Sequence, residues 1–222
     1  MYWILFIGIA LLSWIASSAV ERKFKKYSKV HISLTGKEVA EKMLRDHGIT
    51  DVKVTCISGT LTDHYNPVNK TLNLSEAVYS KATVAAAAVA AHECGHAVQH
   101  QCEYAPLQMR SKLVPVVNFA SKWMSWVLLA GILLIETFPA LLWAGIALYG
   151  ITTLFSVVTL PVEVNASQRA VNWLEEVGLT DRETTPMASE ALHAAAYTYV
   201  VAALASLATL VYYILVALGD HR

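Results

Sequence analysis

The sequence predicts an α-helical membrane protein with four transmembrane helices and a small α+β lobe, and three observations carry that expectation. Hydrophobic residues fill 55% of the 222 positions, above the roughly 45–50% usual in soluble proteins. The excess is concentrated: residues 1–20, Thr137–Leu160 and Ala194–Gly219 contain no charged side chain, and each is long enough as a helix for a bilayer core, which takes about 20 apolar residues. Between the first of these and the rest lies a polar stretch of ordinary globular pattern.

Residues 1–20 read as the first transmembrane helix rather than a cleaved leader. No basic residue precedes the apolar run, while Arg22, Lys23, Lys25, Lys26 and Lys29 follow it, the reverse of a signal peptide. Basic clusters stay on the cytoplasmic side, so the N-terminus is expected outside and residues 21–112 inside, as a lobe at the inner surface. Residues 113–160 read as a transmembrane hairpin of helices 2 and 3. The apolar run Trp123–Ile135 reaches spanning length only by extending back past Lys122 and Asn118, and Glu136–Pro139 makes a tight turn free of Lys and Arg, as suits an outer loop. Residues 161–193 return to the lobe, and 194–219 form the fourth span. A soluble protein this small would have to hide three nearly pure apolar segments. Formal net charge is zero, so no nucleic-acid partner is indicated; the lipid bilayer is the partner that composition requires. Cys56, Cys94 and Cys102 form an odd set without a disulfide pattern, which fits a reducing compartment.

Within the lobe, Thr35-Gly-Lys-Glu38 is a capping box opening a helix whose apolar face is Val39, Ala40, Met43 and Leu44, and Gly48 closes it. Val52–Ile57 alternates as a half-buried strand; Leu61–Tyr65 and Thr71–Leu74 are two more, joined by the turn Asn66-Pro-Val-Asn-Lys70. From Ala82 to Ala91 nearly every residue is Ala or Val. That run is too short to span and has high helix propensity, so it predicts a buried, closely packed helix. A further helix is expected from Pro161 at its first turn to Gly178.

The alanine helix runs into His92-Glu-Cys-Gly-His96, an HExxH motif. On a helix His92 and His96 differ by about 40° in azimuth and about 6 Å in rise, so both imidazoles reach one ion. Glu93 lies within about 60° of His96, beside the ion rather than on it. Zinc lowers the pKa of a water it holds towards about 7, and the glutamate serves as general base during attack on a peptide carbonyl. A glutamate in an alanine-lined interior with no such task would be a costly charge. The order helix, strands, then histidine helix is the one a zincin-like catalytic lobe needs.

His100 continues the four-residue spacing, but on a straight helix it lies about 12 Å from His92, too far for a shared ion with bonds of about 2.1 Å. The three-histidine peptidases insert a glycine turn, and here Ala97-Val-Gln-His100 has none. Cys94 points away from the histidine pair and reads as a packing residue. The third ligand must come from elsewhere. Glu163 is the leading candidate, with Glu175, Glu176, Glu190 and His193 as rivals.

Leu61–Pro67, Ala91–Ala97, Leu160–Ala170 and the Tyr-Ala-Pro-Leu segment at 104–107 together resemble the YugP-type neutral zinc metallopeptidases of bacterial membranes, over nearly the whole chain. The resemblance implies a gluzincin-like enzyme of the bacterial cell membrane with a cytoplasmic site. Zinc is its cofactor, His92, His96 and Glu163 the metal ligands, Glu93 the base and a protein or peptide the substrate. The layout is also similar to the HtpX and CAAX-prenyl proteases, where a hairpin separates HExxH from Glu-x-x-Ala-Asp. Here that motif reads Glu163-Val-Asn-Ala-Ser167, with Ser167 in the carboxylate's place. Asn165 or Ser167 can orient a histidine only as a neutral substitute. Tyr65, Arg169, His193 and Tyr199 are candidates to stabilise an oxyanion, and Leu61–Tyr65 is a candidate edge strand for an extended peptide.

The leading expectation is thus a membrane zinc metalloendopeptidase. The alternatives are a catalytically silent scaffold or metal-binding protein of the same fold, which has no use for Glu93, and an intramembrane protease, which Lys81, Glu103 and the short alanine run oppose.

Overall fold

A computed structural model describes residues 2–219. Seven helices and three strands follow one another in it: α1 Tyr2–Tyr27, α2 Gly36–Asp46, β1 Lys53–Ile57, β2 His64–Asn66, β3 Thr71–Ser75, α3 Glu76–Tyr79, α4 Val84–Gln101, α5 Ala105–Leu133, α6 Pro139–Glu176 and α7 Thr184–Ala217. The protein is mostly helical. Helices α1, α5, α6 and α7 are long and apolar enough to cross a membrane, by length and composition. Large apolar side chains on them stay uncovered by protein, among them Trp3, Ile4, Trp14 and Trp126, as a lipid-facing surface requires.

The chain forms two compact units. One comprises the chain up to Tyr104 together with Val162–Thr198; the other comprises Ala105–Pro161 and the chain from Tyr199 onward. In the first, the capping box forms as the sequence predicts: the Thr35 side chain accepts from the Glu38 amide, and Glu38 reaches back to the Thr35 N–H. Val39, Ala40, Met43 and Leu44 are all buried, so the predicted apolar face of α2 is the real one. Gly48 takes φ +69°, a left-handed conformation that glycine adopts without strain. The three strands make one sheet ordered β1-β3-β2. β1 runs parallel to β3, and β2 antiparallel to it, leaving β2 at an edge. Helix α4 is capped by Thr83, whose hydroxyl accepts from the Ala86 amide, and its alanines 85–88, 90 and 91 are fully buried. They pack in one core with α2, β3 and the Ala170, Trp173 and Leu174 face of α6.

The second unit is a hairpin of α5 and α6 with the end of α7. Its turn falls at Leu134–Thr137, where the Phe138 amide donates to the Leu134 carbonyl at 2.7 Å, and α6 starts on Pro139, which suits a first helical position. Leu128, Leu142 and Ile146 form its small core.

Two expectations are corrected. Pro161 does not open a helix; it lies inside α6, which runs unbroken for 38 residues. The flanking Val158, Thr159, Leu160, Val162 and Val164 include no glycine to end one helix before the next begins. Breaking the helix in apolar surroundings would strand several backbone groups, whereas the proline removes one hydrogen bond. The second strand is also displaced, to His64–Asn66 rather than Leu61–Tyr65. Leu61 has φ 57°, outside the extended region, and the Asp63 carboxylate is taken up by the Ser75 amide and hydroxyl at 2.7 and 3.1 Å.

Candidate metal centre

Helix α4 runs straight through the motif, so its histidines stand where helical spacing puts them. His92 and His96 are neighbours with ring centroids 4.8 Å apart and planes at 83°. Against them lies α6, and the reason it comes so close is Gly95. A Cβ at that position would meet the Ala166 carbonyl oxygen at 2.7 Å, so only glycine permits this approach. Ala166 and Ala170 on the facing side are fully buried, and the two small surfaces bring the backbones together.

The close crossing delivers Glu163. Its Oε2 sits 3.3 Å from His92 Nε2 and 3.6 Å from His96 Nε2. Four ligands around zinc at about 2.0–2.1 Å lie about 3.4 Å from one another, so these separations fit one ion. Among the described residues, His92, His96 and Glu163 are the group of His, Cys, Asp and Glu that can hold a metal, with ligand atoms within 4.8 Å of each other. Glu163 is only 3% exposed and sits in mid-helix, not at a solvated helix start, so its charge is largely withdrawn from bulk water.

Electrostatics asks for a cation here. Burial, the largest influence on His96, lowers its pKa, yet the Glu163 hydrogen bond and the charges of Glu93 and Glu163 outweigh it, and the imidazole titrates above its usual range. Glu93 is itself buried, with its Oε2 accepting from the Tyr65 amide of the edge strand at 3.0 Å. That backbone N–H aims the carboxylate alongside the histidines.

The remaining ring nitrogens also have partners. His92 Nδ1 lies 3.1 Å from Ser167 Oγ, and His96 Nδ1 lies 3.0 Å from Gln99 Oε1. Ser167 therefore touches a histidine, whereas Asn165 does so only through Gln99, whose Nε2 donates to Asn165 Oδ1 at 3.0 Å. Gln99 escaped the sequence reading, although its position three residues after His96 puts it on the same helical face.

The other candidates make different contacts. His100 is exposed, with its Nδ1 on the Tyr65 hydroxyl at 2.9 Å. Arg169 donates to Asn165 Oδ1, and His193 lines a cavity of about 190 Å³ that Ser167 also lines. Tyr199 belongs to the other compact unit. Glu175 and Glu176 are exposed at the end of α6, and Glu190 is bound by Lys23 and Tyr27. Cys94 is fully buried with its Sγ on the Ala40 carbonyl at 3.6 Å, and burial pushes its thiol well up, so it packs as a neutral side chain.

Comparison with known proteins agrees with this chemistry. The family described as "Putative neutral zinc metallopeptidase" matches residues 2–218. The "Putative membrane protease YugP" of Bacillus subtilis (strain 168) is 42% identical over 221 residues, covering 98% of this chain and 97% of that protein. No solved structure matches significantly. With a match over almost every residue and a two-histidine, one-glutamate cluster of zinc dimensions, the chain belongs to this neutral zinc metallopeptidase family, and zinc is its cofactor.

Proposed function

We propose that the protein is a membrane-embedded zinc metalloendopeptidase that hydrolyses peptide bonds, with a zincin-like lobe and its site on the cytoplasmic side of a bacterial membrane. The observation that carries the reading is the meeting of His92 Nε2, His96 Nε2 and Glu163 Oε2 around one point, with the Glu93 carboxylate held beside it by the Tyr65 amide.

In this reading His92, His96 and Glu163 hold zinc, which supplies Lewis-acid activation of water and of the peptide carbonyl. Glu93 takes the proton of the attacking water and returns it to the departing amine. The Tyr65 N–H fixes the direction of the Glu93 carboxylate, and the alanine wall of α4 keeps bulk water from its inner side. The cytoplasmic placement rests on Arg22, Lys25, Lys26 and Lys29, which stay exposed at the end of α1.

The test compares detergent-purified wild type with Glu93→Gln. The variant is expected to bind zinc as wild type does and to cleave an unfolded protein about 100- to 10,000-fold more slowly, the usual loss on removing a general base. Unchanged cleavage overturns the reading. A membrane-impermeant maleimide should label Cys56 and Cys102, both exposed, in inside-out vesicles and not in intact cells.

A further inference from the structure

The carboxylate that orients a metal-bound histidine in related layouts is replaced here by Ser167, yet the amides around His96 form a chain whose direction is fixed at both ends. Arg169 can only donate, and its Nε gives a hydrogen bond to Asn165 Oδ1 at 2.8 Å. The Val162 carbonyl can only accept, and it takes a bond from Gln99 Nε2 at 2.8 Å. The same Nε2 gives its other proton to Asn165 Oδ1 at 3.0 Å. Gln99 is fully buried, so its amide cannot flip without facing two acceptors with a third. Its Oε1 must therefore face His96 Nδ1, at 3.0 Å. An acceptor there requires a proton on Nδ1, and in the neutral ring this leaves the lone pair on Nε2, the atom that faces Glu163.

We propose that Gln99 is a positioning residue for zinc: backed by Asn165 and Arg169, it locks His96 in the metal-binding tautomer and ties the α6 turn that carries Glu163 to the α4 turn that carries His96. One uncharged side chain thus acts on two ligands at once. His92 has no such lock. Its partner, the Ser167 hydroxyl, can donate or accept and so leaves either tautomer open. The inference rests on the zinc ligands proposed above but not on catalysis.

The experiment is zinc affinity of the full-length protein in detergent, by competition with a chromophoric chelator, together with the visible spectrum of the cobalt(II)-loaded form. Gln99→Met keeps the shape and removes every hydrogen bond; it is expected to weaken zinc about 10- to 100-fold and to shift the cobalt bands, while the metal-free protein stays folded. Gln99→Glu, held neutral because its second oxygen needs a proton to face the Val162 and Asn165 oxygens, restores an acceptor to His96 Nδ1 and is expected to bind at least about tenfold more tightly than Gln99→Met, a rescue that a merely space-filling role would not give. Should Gln99→Met not fold, Arg169→Met tests the far end of the chain and is expected to cost about three- to tenfold in affinity. Zinc binding within threefold of wild type in Gln99→Met, or in Arg169→Met where that variant stands in, overturns the proposal, as does a Gln99→Glu no tighter than Gln99→Met. These outcomes leave the peptidase reading standing. That reading fails separately, if Glu93→Gln cleaves normally, and a wild type that takes up no zinc overturns both.

Discussion

Two helix crossings in this protein use the same device for opposite ends. In the first unit, Gly95 lets α4 meet the backbone of α6 at Ala166; in the second, Gly131 lets α5 meet α6 at Leu142, where a Cβ would fall 2.5 Å from the Leu142 Cα. Around Gly131 the surroundings are apolar, Leu128, Leu142 and Ile146 with Met124 and Tyr149, and close approach brings van der Waals contact in a setting where lipid competes on equal terms. Around Gly95 the same closeness carries Glu93, Gln99, Glu163 and Ser167 into a nearly dry interior. Burying that much polarity costs free energy unless each group finds a partner, and among the described residues no buried side-chain nitrogen or oxygen lacks one. Small residues decide how near two helices come; the side chains one turn away decide whether the contact is structural or chemical.

The largest effect is expected at Gly95. Gly95→Ala should force α6 away from α4, lowering stability by about 2 kcal/mol and zinc affinity by at least about tenfold, read by thermal melting and chelator competition. Gly131→Ala should cost a similar stability, about 2 kcal/mol, while the folded fraction binds zinc with unchanged affinity; a loss of zinc there would mean that the hairpin governs the site. A smaller effect is expected at the Thr153–Ser206 hydroxyl pair, 2.7 Å apart in the second unit. Ser206→Ala should cost about 0.6 kcal/mol in detergent melting and leave the metal untouched. His100→Ala should be smaller still, within about 0.5 kcal/mol, with zinc affinity kept, because its contact with Tyr65 is at the surface.

The slightest effect concerns Asp63 and appears only in acid. Burial raises its pKa against the opposing Ser75 hydrogen bonds, so the folded state holds the proton more tightly than the unfolded chain. Its contribution to stability is therefore greatest below the unfolded pKa of about 3.9 and declines as pH rises through the folded value. Asp63→Asn should flatten that part of the pH–stability curve.

Much of this was legible in sequence, and for definable reasons. Charge-free runs of about 20 residues mark spanning helices because the bilayer tolerates little else. The Thr35 capping box, the Gly48 stop and the His92–His96 pair depend on neighbours within four residues, where helical spacing alone sets distance and direction. Glu163 was reachable as one candidate among several. Its burial and its distance to the histidines were not, since they depend on how two segments over sixty residues apart pack.

The sequence by itself thus determined which helices are apolar enough for a membrane and which two histidines can share an ion, because both follow from local periodicity and composition. Tertiary structure alone decided that α6 continues through Pro161 and that Ser167 meets His92. It also decided that Gln99, an unremarked amide in the sequence, faces His96 with its oxygen. The physical reason is that hydrogen-bond direction in a buried site is set jointly by every partner present, and those partners meet only when Gly95 and Ala166 allow two distant helices to touch.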